Sequence, residues 1–205
     1  KSELPDQEIR DILTQAEGLP ALITLDLFKS RFSGAGLGAL NISLKQLERV
    51  ILSGCSNLTD TGVQNVLTTC GLSLKILELG NTQITGAALE GVILPKLEEL
   101  SLHMCKNLTD TEVQQVLTNY GPTLNSLNLG NTKITGAALE GVILSKVESL
   151  CLIGCKNLTD TEVRQVLTNY GSTLRSLNLG NTQITGAALE GVILPKLEEL
   201  RLHMC

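Results

Sequence analysis

Histidine, methionine and cysteine stand together twice in the chain, as His103-Met104-Cys105 and as His203-Met204-Cys205. Imidazole, thioether and thiolate groups are ligands that bind soft metals. The alternating residues before each triplet predict a short strand that ends between the histidine and the cysteine, so the two side chains lie in different environments. No metal site and no cofactor is therefore predicted.

Six cysteines are a second source of chemistry. Four of them recur at one position just past a predicted strand, where the chain turns inward and a small buried side chain fits. Because cysteine follows the repeat and not a pairing scheme, we expect all six to be free thiols. Cys151 lies on an outward strand position and is predicted to react fastest. The four recurring residues are Cys55, Cys105, Cys155 and Cys205.

Catalytic motifs are not found in the sequence. No Ser/His/Asp or Cys/His set and no carboxylate pair in a pocket can be assembled. The recurring Gly130-Asn131-Thr132 predicts a turn, because no glycine-rich loop with lysine opens the following helix. Asn57-Leu58-Thr59 and its copies match the glycosylation sequon, but a strand-to-helix corner gives them a structural use. The chain is predicted not to be an enzyme.

Composition limits the classes of partner. The chain has 205 residues, of which 42% are hydrophobic, and no apolar run long enough to predict a membrane span. A net charge of −5, scattered lysines and arginines, and four aromatic residues argue against nucleic acid. The chain begins at Lys1 without methionine or a signal peptide and ends within a unit, so we expect a fragment. The cysteine pattern predicts a cytoplasmic location.

One unit is repeated along the chain. The segment Asn57–Asp60 returns at 107–110 and 157–160, which gives a period of 50 residues. Each period contains the pattern Leu-x-x-Leu-x-Leu twice, in alternating steps of 27 and 23 residues from Leu47 onward. Such an array buries its apolar side chains only by stacking units on their neighbours. The pattern starts at Leu22, Leu47, Leu74, Leu97, Leu124, Val147, Leu174 and Leu197.

The longer units predict a strand followed by a helix. Residues 97–103 alternate in polarity, which is typical of a strand with one solvent-facing side. Thr109-Asp110-Thr111-Glu112 predicts a capping box at a helix start, and Gly121 is predicted to end the helix in the left-handed conformation. The buried stripe of this helix is predicted to be Val113, Val116 and Leu117.

The shorter units predict the same order with a shorter helix. Thr135 is the expected N-cap. The expected inward stripe is Leu139, Val142 and Ile143.

The segment Leu97-x-x-Leu100-x-Leu102-x-x-Cys105-x-Asn107-Leu108-Thr109-Asp110 resembles the cysteine-containing subclass of the leucine-rich repeat family. The resemblance extends from Leu22 to Cys205, although the shorter units have serine or threonine at the cysteine position. It implies an α/β fold, a curved solenoid with a parallel β-sheet on the concave face and helices on the convex face, used for binding macromolecules. Many intracellular members are substrate receptors of ubiquitin ligases with an F-box before the repeats. Leu4-Pro5-Asp6-Gln7-Glu8-Ile9 is superficially similar to an F-box opening, but the first repeat begins by Leu22 and leaves no room for that domain.

Two regions are predicted, an N-terminal capping helix in residues 1–20 and an array of about eight units in residues 21–205, the last of them truncated. The capping helix would cover the first repeat. No equivalent closes the other end, so we expect self-association through an open C-terminal edge formed by Leu200 and Leu202. The apolar stripe of the capping helix is predicted to be Ile9, Ile12, Leu13 and Ala16.

The copies differ mainly in their strands. Residues 74–105 and 174–205 differ at four positions, all in or beside a predicted strand. Convex positions such as Gln115 and Lys146 return unchanged in the next copy, so exposure alone does not predict which positions vary. The differences are Lys75/Arg175, Ile76/Ser176, Glu78/Asn178 and Ser101/Arg201.

Outward strand positions predict the binding surface. Phe28, Ile51 and Ile76 step diagonally over three strands, about 8 Å apart, and form an apolar patch. A polar rim beside it is predicted from Glu78, Glu99, Ser101 and His103. Farther along the same face lie Cys151, Ile153 and Arg201.

These observations predict a non-enzymatic interaction module that binds a protein partner on its concave sheet, and neither nucleic acid nor a membrane. Two alternatives stay open. One is the substrate-recognition repeats of a ubiquitin-ligase receptor. The other is a pathogen effector or immune-type recognition protein, since recently copied units with altered concave residues generate new specificities. An engineered scaffold is disfavoured, because a designer would avoid six cysteines and would cap the C-terminal end.

Overall fold

Each repeat unit contributes one short strand to a single sheet. The computed structural model describes residues 6–14, 21–35 and 44–205. Within them, eight strands lie side by side in chain order, and every neighbouring pair is parallel. The strands are β1 Thr24–Asp26, β2 Arg49–Ile51, β3 Ile76–Glu78, β4 Glu99–Ser101, β5 Ser126–Asn128, β6 Ser149–Cys151, β7 Ser176–Asn178 and β8 Glu199–Arg201.

Helices connect the strands and confirm the predicted alternation of a parallel sheet with helices. The described part of the chain contains the α-helices α1 Asp6–Thr14, α2 Asp60–Cys70, α3 Asp110–Tyr120 and α4 Asp160–Tyr170. The shorter units contain 3-10 helices instead, at Gly86–Leu89, Gly136–Leu139 and Gly186–Leu189.

The middle residue of each strand points into the core. From β2 to β7 these residues pair in register across the sheet, so each one packs on its equivalent in the next unit. Burial of one such aliphatic side chain contributes about 2 kcal/mol. The buried row consists of Val50, Leu77, Leu100, Leu127, Leu150 and Leu177.

The predicted capping box of α3 is confirmed. Thr109 Oγ1 accepts a hydrogen bond from Glu112 N at 3.3 Å, and Glu112 Oε2 accepts one from Thr109 N at 2.8 Å. Burial acts to raise the pKa of Glu112. The hydrogen bonds from Thr109 and Gly86 together outweigh it, so the pKa of Glu112 lies below its ordinary value. The predicted inward residues Val113, Val116 and Leu117 are buried.

Gly121 does not end α3 in the left-handed conformation as predicted. Its φ of −48° and ψ of −41° are those of an ordinary helical residue. The glycine is needed for close packing instead, because a Cβ atom there would lie 2.5 Å from the carbonyl oxygen of Ile143 and also against that of Leu117. The left-handed glycine is Gly141, in the following short unit, with a φ of +69°.

The short units bury fewer residues than their spacing predicted. Thr135 is the N-cap, and its hydroxyl oxygen accepts a hydrogen bond from Ala137 N at 3.2 Å. Leu139 and Val142 are buried as predicted, but Ile143 is 61% exposed. The α-helical spacing used for Ile143 does not apply, because the 3-10 helix ends at Leu139.

An aspartate at the start of each repeat helix ties its unit to the next one. Asp110 Oδ1 accepts a hydrogen bond from Thr135 N at 2.7 Å, and Asp110 Oδ2 accepts one from Thr135 Oγ1 at 2.7 Å. The same two bonds join Asp60 to Thr85 and Asp160 to Thr185.

Helix α1 is built like a repeat helix. Asp6 accepts hydrogen bonds from Ser33 N at 2.7 Å and from the Ser33 hydroxyl, as the other aspartates do from threonine. Ile9 and Leu13 are buried, but Ile12 is 50% exposed and leaves the predicted stripe, while Ala16 lies outside the described residues. The capping role of residues 1–20 stays a prediction. The sequence shows the same likeness between α1 and a repeat helix, because five residues near α1 have the spacing of five residues in the α3 region. These are Leu4, Asp6, Ile9, Ile12 and Leu13, which correspond to Leu108, Asp110, Val113, Val116 and Leu117.

The recurring cysteines form a ladder through the array. Cys105 Sγ donates a hydrogen bond to Leu79 O at 3.2 Å, and the Thr82 hydroxyl donates to the same oxygen at 2.6 Å. A cysteine of one unit and a threonine of the preceding unit therefore share one carbonyl. Long units have cysteine and short units have serine or threonine at this repeat position. Both kinds of side chain can donate a hydrogen bond to the shared carbonyl, which explains the alternation. The equivalent cysteine bonds are Cys55 to Leu27 O, Cys155 to Leu129 O and Cys205 to Leu179 O.

Thiol labelling of the native protein is expected to begin at Cys205 and to continue at Cys151. All six cysteines are free in the structure, and Cys205 is exposed. Cys151 is partly buried, and burial raises its pKa, so the structure favours Cys205 over Cys151 as the first thiol to react. Its outward strand position is shielded by the neighbouring strands. Burial raises the pKa of Cys70 to about 12, so this thiol is expected to react among the slowest.

Mass spectrometry after brief treatment with iodoacetamide measures this order. A Cys70 or Cys105 adduct that precedes the Cys205 adduct would contradict it. Alkylation of the unfolded, unreduced protein is expected to add six groups, one for each cysteine.

Candidate protein-binding surface

The sheet face away from the helices, which we name the concave face, carries three rows of side chains. In register, the first row runs from Thr24 to Glu199 and the second from Asp26 to Arg201. A third row lies two residues farther along and runs from Phe28 to His203. Every predicted site residue lies on this face: Phe28, Ile51, Ile76, Glu78, Glu99, Ser101, His103, Cys151, Ile153 and Arg201.

The apolar patch has the predicted diagonal arrangement, but a charged pair crosses it. Ile51 is in register with Glu78, and Ile76 is in register with Arg49. Arg49 Nη2 lies 2.8 Å from Glu78 Oε1, so this ion pair passes between the two isoleucines. Phe28 is 55% exposed, whereas Ile51 and Ile76 are partly buried. The surface therefore combines three apolar side chains with a central ion pair.

Sequence reasoning missed three residues of this surface. Arg49 is held by Glu78, whose hydrogen bond raises the pKa of the guanidinium. Asp26 Oδ1 accepts a hydrogen bond from Phe28 N at 2.9 Å and fixes the turn that presents the phenyl ring. Ser53 lies in the third row and is 3% exposed. All three occupy outward positions of the repeat. They could have been identified from the sequence by including the polar residues at the outward strand positions as well as the apolar ones.

Glycines of the short units make room for side chains of the long units in the third row. A Cβ atom at Gly80 would overlap the His103 ring, and one at Gly130 would lie 2.6 Å from Ile153 Cγ2. His103 is held over Gly80 by a hydrogen bond of 3.3 Å between Ser101 Oγ and His103 Nδ1. These side chains therefore lie flat along the sheet and leave it accessible to a partner.

Charge is concentrated on the first four strands. Asp26, Glu78 and Glu99 stand there in the first two rows with Arg49 as the single basic residue. Strands β5 to β7 carry only serine, asparagine and cysteine in the same rows. The two halves of the concave face therefore differ in electrostatics, and the first half has an excess of negative charge.

Cys151, Ile153 and Arg201 lie apart from the apolar patch. Cys151 is in register with Asn128 and Asn178, so it has polar neighbours on both sides. The strand of Ile153 is five strands from that of Phe28, or about 24 Å at the usual strand spacing. The predicted site residues therefore form two groups on one face.

A second surface lies at the loops that precede the strands, and we name it the flank. It carries exposed apolar residues that were not predicted from the sequence. Leu72 and Ile93 line a groove of about 400 Å³. Ile143 and Ile193 occupy the position of Ile93 in later units and are also exposed. The recurrence of Gly-Val-Ile-Leu every 50 residues is the sequence signal for this flank.

Two other kinds of site are absent from the part of the chain that the structure describes. It holds no group of three or more histidine, cysteine, aspartate or glutamate residues that could bind a metal ion. No described helix has both the length and the apolar character needed to cross a bilayer.

A family model described as a leucine-rich repeat matches residues 172–192. No curated protein matches the chain. The structure is similar to a chain of the crystal structure of the Rad7 and Elc1 complex in yeast, with a TM-score of 0.63 and 17% identity. That match covers 95% of this chain and 57% of the other, so this chain spans little more than half of that length.

Two further structures are less similar. The ectodomain of the Arabidopsis thaliana receptor kinase GASSHO1/SCHENGEN3, in complex with CASPARIAN STRIP INTEGRITY FACTOR 2, gives a TM-score of 0.39 at 17% identity over 93% of this chain and 31% of that chain. An internalin from Listeria monocytogenes gives a TM-score of 0.29 at 18% identity, and the match covers 97% of this chain and 88% of that chain. With eight parallel strands in one sheet, a helix after each of β2 to β7, and the similarity to the Rad7 structure, this chain has the fold of a leucine-rich repeat solenoid.

Proposed function

We propose that this chain is a non-enzymatic interaction module that binds another protein through the concave face of β1 to β4. The observation that supports the proposal is the apolar patch formed by the exposed Phe28 and the partly buried Ile51 and Ile76, with charged side chains around and between its members. An apolar centre with a polar surround is the usual composition of a protein contact, and its buried anchors supply most of the affinity.

The rigidity of the surface supports this role. The outward side chains of the first two rows stand on strands, and each strand from β2 to β7 pairs in register with a neighbour on either side. A preorganised surface loses little conformational entropy on binding, so more of the contact energy contributes to affinity.

Ser101 and His103 form a hydroxyl–imidazole pair, but the pair supports binding better than catalysis. Its 3.3 Å hydrogen bond joins Ser101 Oγ to the ring nitrogen Nδ1. Among the described residues, no carboxylate hydrogen-bonds the ring, and the pair stands on an open sheet and not in a pocket. A nucleophile needs an oriented base and an enclosed site to act efficiently.

The cellular location and a more specific role can also be proposed. The free and largely buried thiols favour a reducing compartment such as the cytoplasm. A substrate-recognition role within a ubiquitin ligase would use the same face, and the yeast structure similar in fold contains a protein complex. An F-box elsewhere in the gene that encodes this chain would favour that role.

Affinity capture tests the proposed function. Immobilised wild-type chain and an Ile51→Glu variant are exposed to the same cell extract, and retained proteins are quantified by mass spectrometry. We expect at least one protein to be retained by the wild type and lost by the variant, because burying an unpaired carboxylate against an apolar anchor is unfavourable. Retention of the same proteins in the same amounts by both would contradict the proposal.

For these 205 residues taken by themselves, self-association through β8 is a further prediction. Leu200 and Leu202 are 41% and 39% exposed, whereas the equivalent Leu100 and Leu102 are buried. Exposed apolar residues on an edge strand favour pairing with another chain. Sedimentation is expected to show dimers whose fraction rises with concentration and falls in a Leu202→Glu variant. A monomer at all concentrations would contradict the prediction.

A further inference from the structure

Two glutamates at the same repeat position, Glu99 and Glu199, lie two periods apart and have different surroundings. Glu199 Oε2 accepts a hydrogen bond from Ser176 Oγ at 2.9 Å, and its Oε1 accepts one from Arg201 Nη2 at 2.7 Å. The Ser176 hydroxyl and the Arg201 guanidinium lower the pKa of Glu199 below its ordinary value. The carboxylate of Glu199 is therefore satisfied within the chain.

Glu99 lacks both partners. The position of Ser176 is taken by Ile76, which has no hydroxyl, and the position of Arg201 is taken by Ser101, which contacts His103 instead. Glu99 is exposed, and within the described residues it makes no hydrogen bond and no ion pair. The copy thus leaves an unpaired carboxylate beside the apolar side chain of Ile76.

Nearby positive charges compensate Glu99 only in part, and Lys29 is engaged elsewhere, with its Nζ 4.9 Å from the centroid of the Phe28 ring. Arg49 is the single basic residue in the first two rows of β1 to β4, and its guanidinium is bound to Glu78. Arg49 also interacts electrostatically with Glu99 and Asp26, so one positive charge serves three carboxylates. A positive charge from outside the chain would therefore find a favourable field at Glu99.

Two polar atoms beneath the patch also lack partners. Ser53 Oγ is buried without a hydrogen bond, in a residue that is 3% exposed, and Arg49 Nε is buried without an acceptor. Both lie beside Ile51, on the strand between Phe28 and Ile76. Both atoms lack solvent-accessible surface, so they lie under the patch and do not contact a bound segment.

We propose that the concave face of β1 to β4 binds a protein segment in which a lysine or arginine pairs with Glu99 and an adjacent apolar side chain packs on Ile76 and Ile51. This inference rests on the proposed function and adds the chemical class of the partner. The uncharged rows of β5 to β7 offer no equivalent attraction for a basic side chain. Charge complementarity of this kind selects between partners and speeds association.

Selection from a phage library of random short peptides tests the proposal without a known partner. We expect peptides selected on the wild-type chain to be enriched in lysine or arginine next to leucine, isoleucine or phenylalanine. Selection on a Glu99→Gln variant is expected to lose the basic residue and keep the apolar one. A Glu199→Gln variant is the matched control, since it removes a carboxylate at the same repeat position, and it is expected to select the same peptides as the wild type.

Fluorescence anisotropy with the most enriched peptide gives the size of the effect. Glu99→Gln is expected to weaken binding about fivefold, and added salt is expected to weaken the wild type more than the variant. Glu199→Gln is expected to leave the affinity unchanged. Circular dichroism should be the same for all three proteins, because both side chains are exposed.

Three results would overturn the proposal. They are selection of no peptide, selection of peptides without basic residues, and equal binding of the basic peptide by the wild type and Glu99→Gln. One outcome separates this proposal from the proposed function. If the selected peptides are apolar and no longer bind after Phe28, Ile51 and Ile76 are replaced by serine, the concave face binds peptides but has no preference for basic residues. Peptides that bind without contacting these three residues would overturn both.

Discussion

Gly121→Ala is expected to lower the free energy of unfolding by about 2–3 kcal/mol. Helix propensity alone predicts the opposite, since alanine is favoured over glycine by about 1 kcal/mol within a helix. The structure reverses that expectation, because the new methyl group would lie 2.5 Å from the Ile143 carbonyl oxygen and against that of Leu117. Both obstacles are backbone atoms, so relief requires a change in the last turn of α3, where Leu117 lies, and a shift away from Ile143 of the following unit. Urea denaturation monitored by circular dichroism measures the change.

Gly141→Ala is the matched control for this prediction. Gly141 has a φ of +69° and open space around its would-be Cβ atom, so alanine there is strained without a clash. We expect a loss of about 1 kcal/mol from the left-handed conformation alone. If Gly121→Ala stabilises the protein, or costs less than Gly141→Ala, the packing explanation for Gly121 is wrong.

Replacement of Phe28, Ile51 and Ile76 by serine is expected to weaken binding of a captured partner about 100-fold or more. Truncation of a central apolar anchor typically costs about 2 kcal/mol of binding energy, and the combined loss is not strictly additive. Phe28 is largely exposed, but Ile51 and Ile76 are partly buried, so folding is also expected to lose about 1 kcal/mol for each isoleucine. Isothermal titration calorimetry measures the affinity, and urea denaturation separates it from stability.

The flank provides a control with the same chemistry. Serine at Ile93, Ile143 and Ile193 removes three exposed apolar side chains away from the concave face. We expect this variant, and a convex Gln115→Ala/Lys146→Ala variant, to bind within about twofold of the wild type. Loss of binding in the flank variant with retention in the concave variant would place the partner on the flank.

Much of the architecture could be predicted from the sequence because it depends on periodicity. The 50-residue recurrence gives the strands, their order and the outward positions, and Thr109 with Glu112 gives the start of a helix. These features are local, or they repeat in register, so one interpretation applies to every unit. The placement of Phe28, Ile51 and Ile76 on one face follows for the same reason.

Other features depend on contacts between units and could not be predicted from one unit. Gly121 resembles a left-handed helix terminator until the neighbouring Ile143 carbonyl is in place. Ile143 fits a buried α-helical stripe until the segment before it is found to be a 3-10 helix. The Arg49–Glu78 ion pair joins side chains on different strands, and only the register shows that it crosses the apolar diagonal.

Site-specific photo-crosslinking tests the central claim most directly. A benzophenone amino acid placed at position 28 on the concave face is compared with one at position 143 on the flank, because both sites are exposed and lie on different sides of the array. Binding through the concave face predicts that the captured partner crosslinks to position 28 and not to position 143. Crosslinking at position 143 with none at position 28 would contradict it.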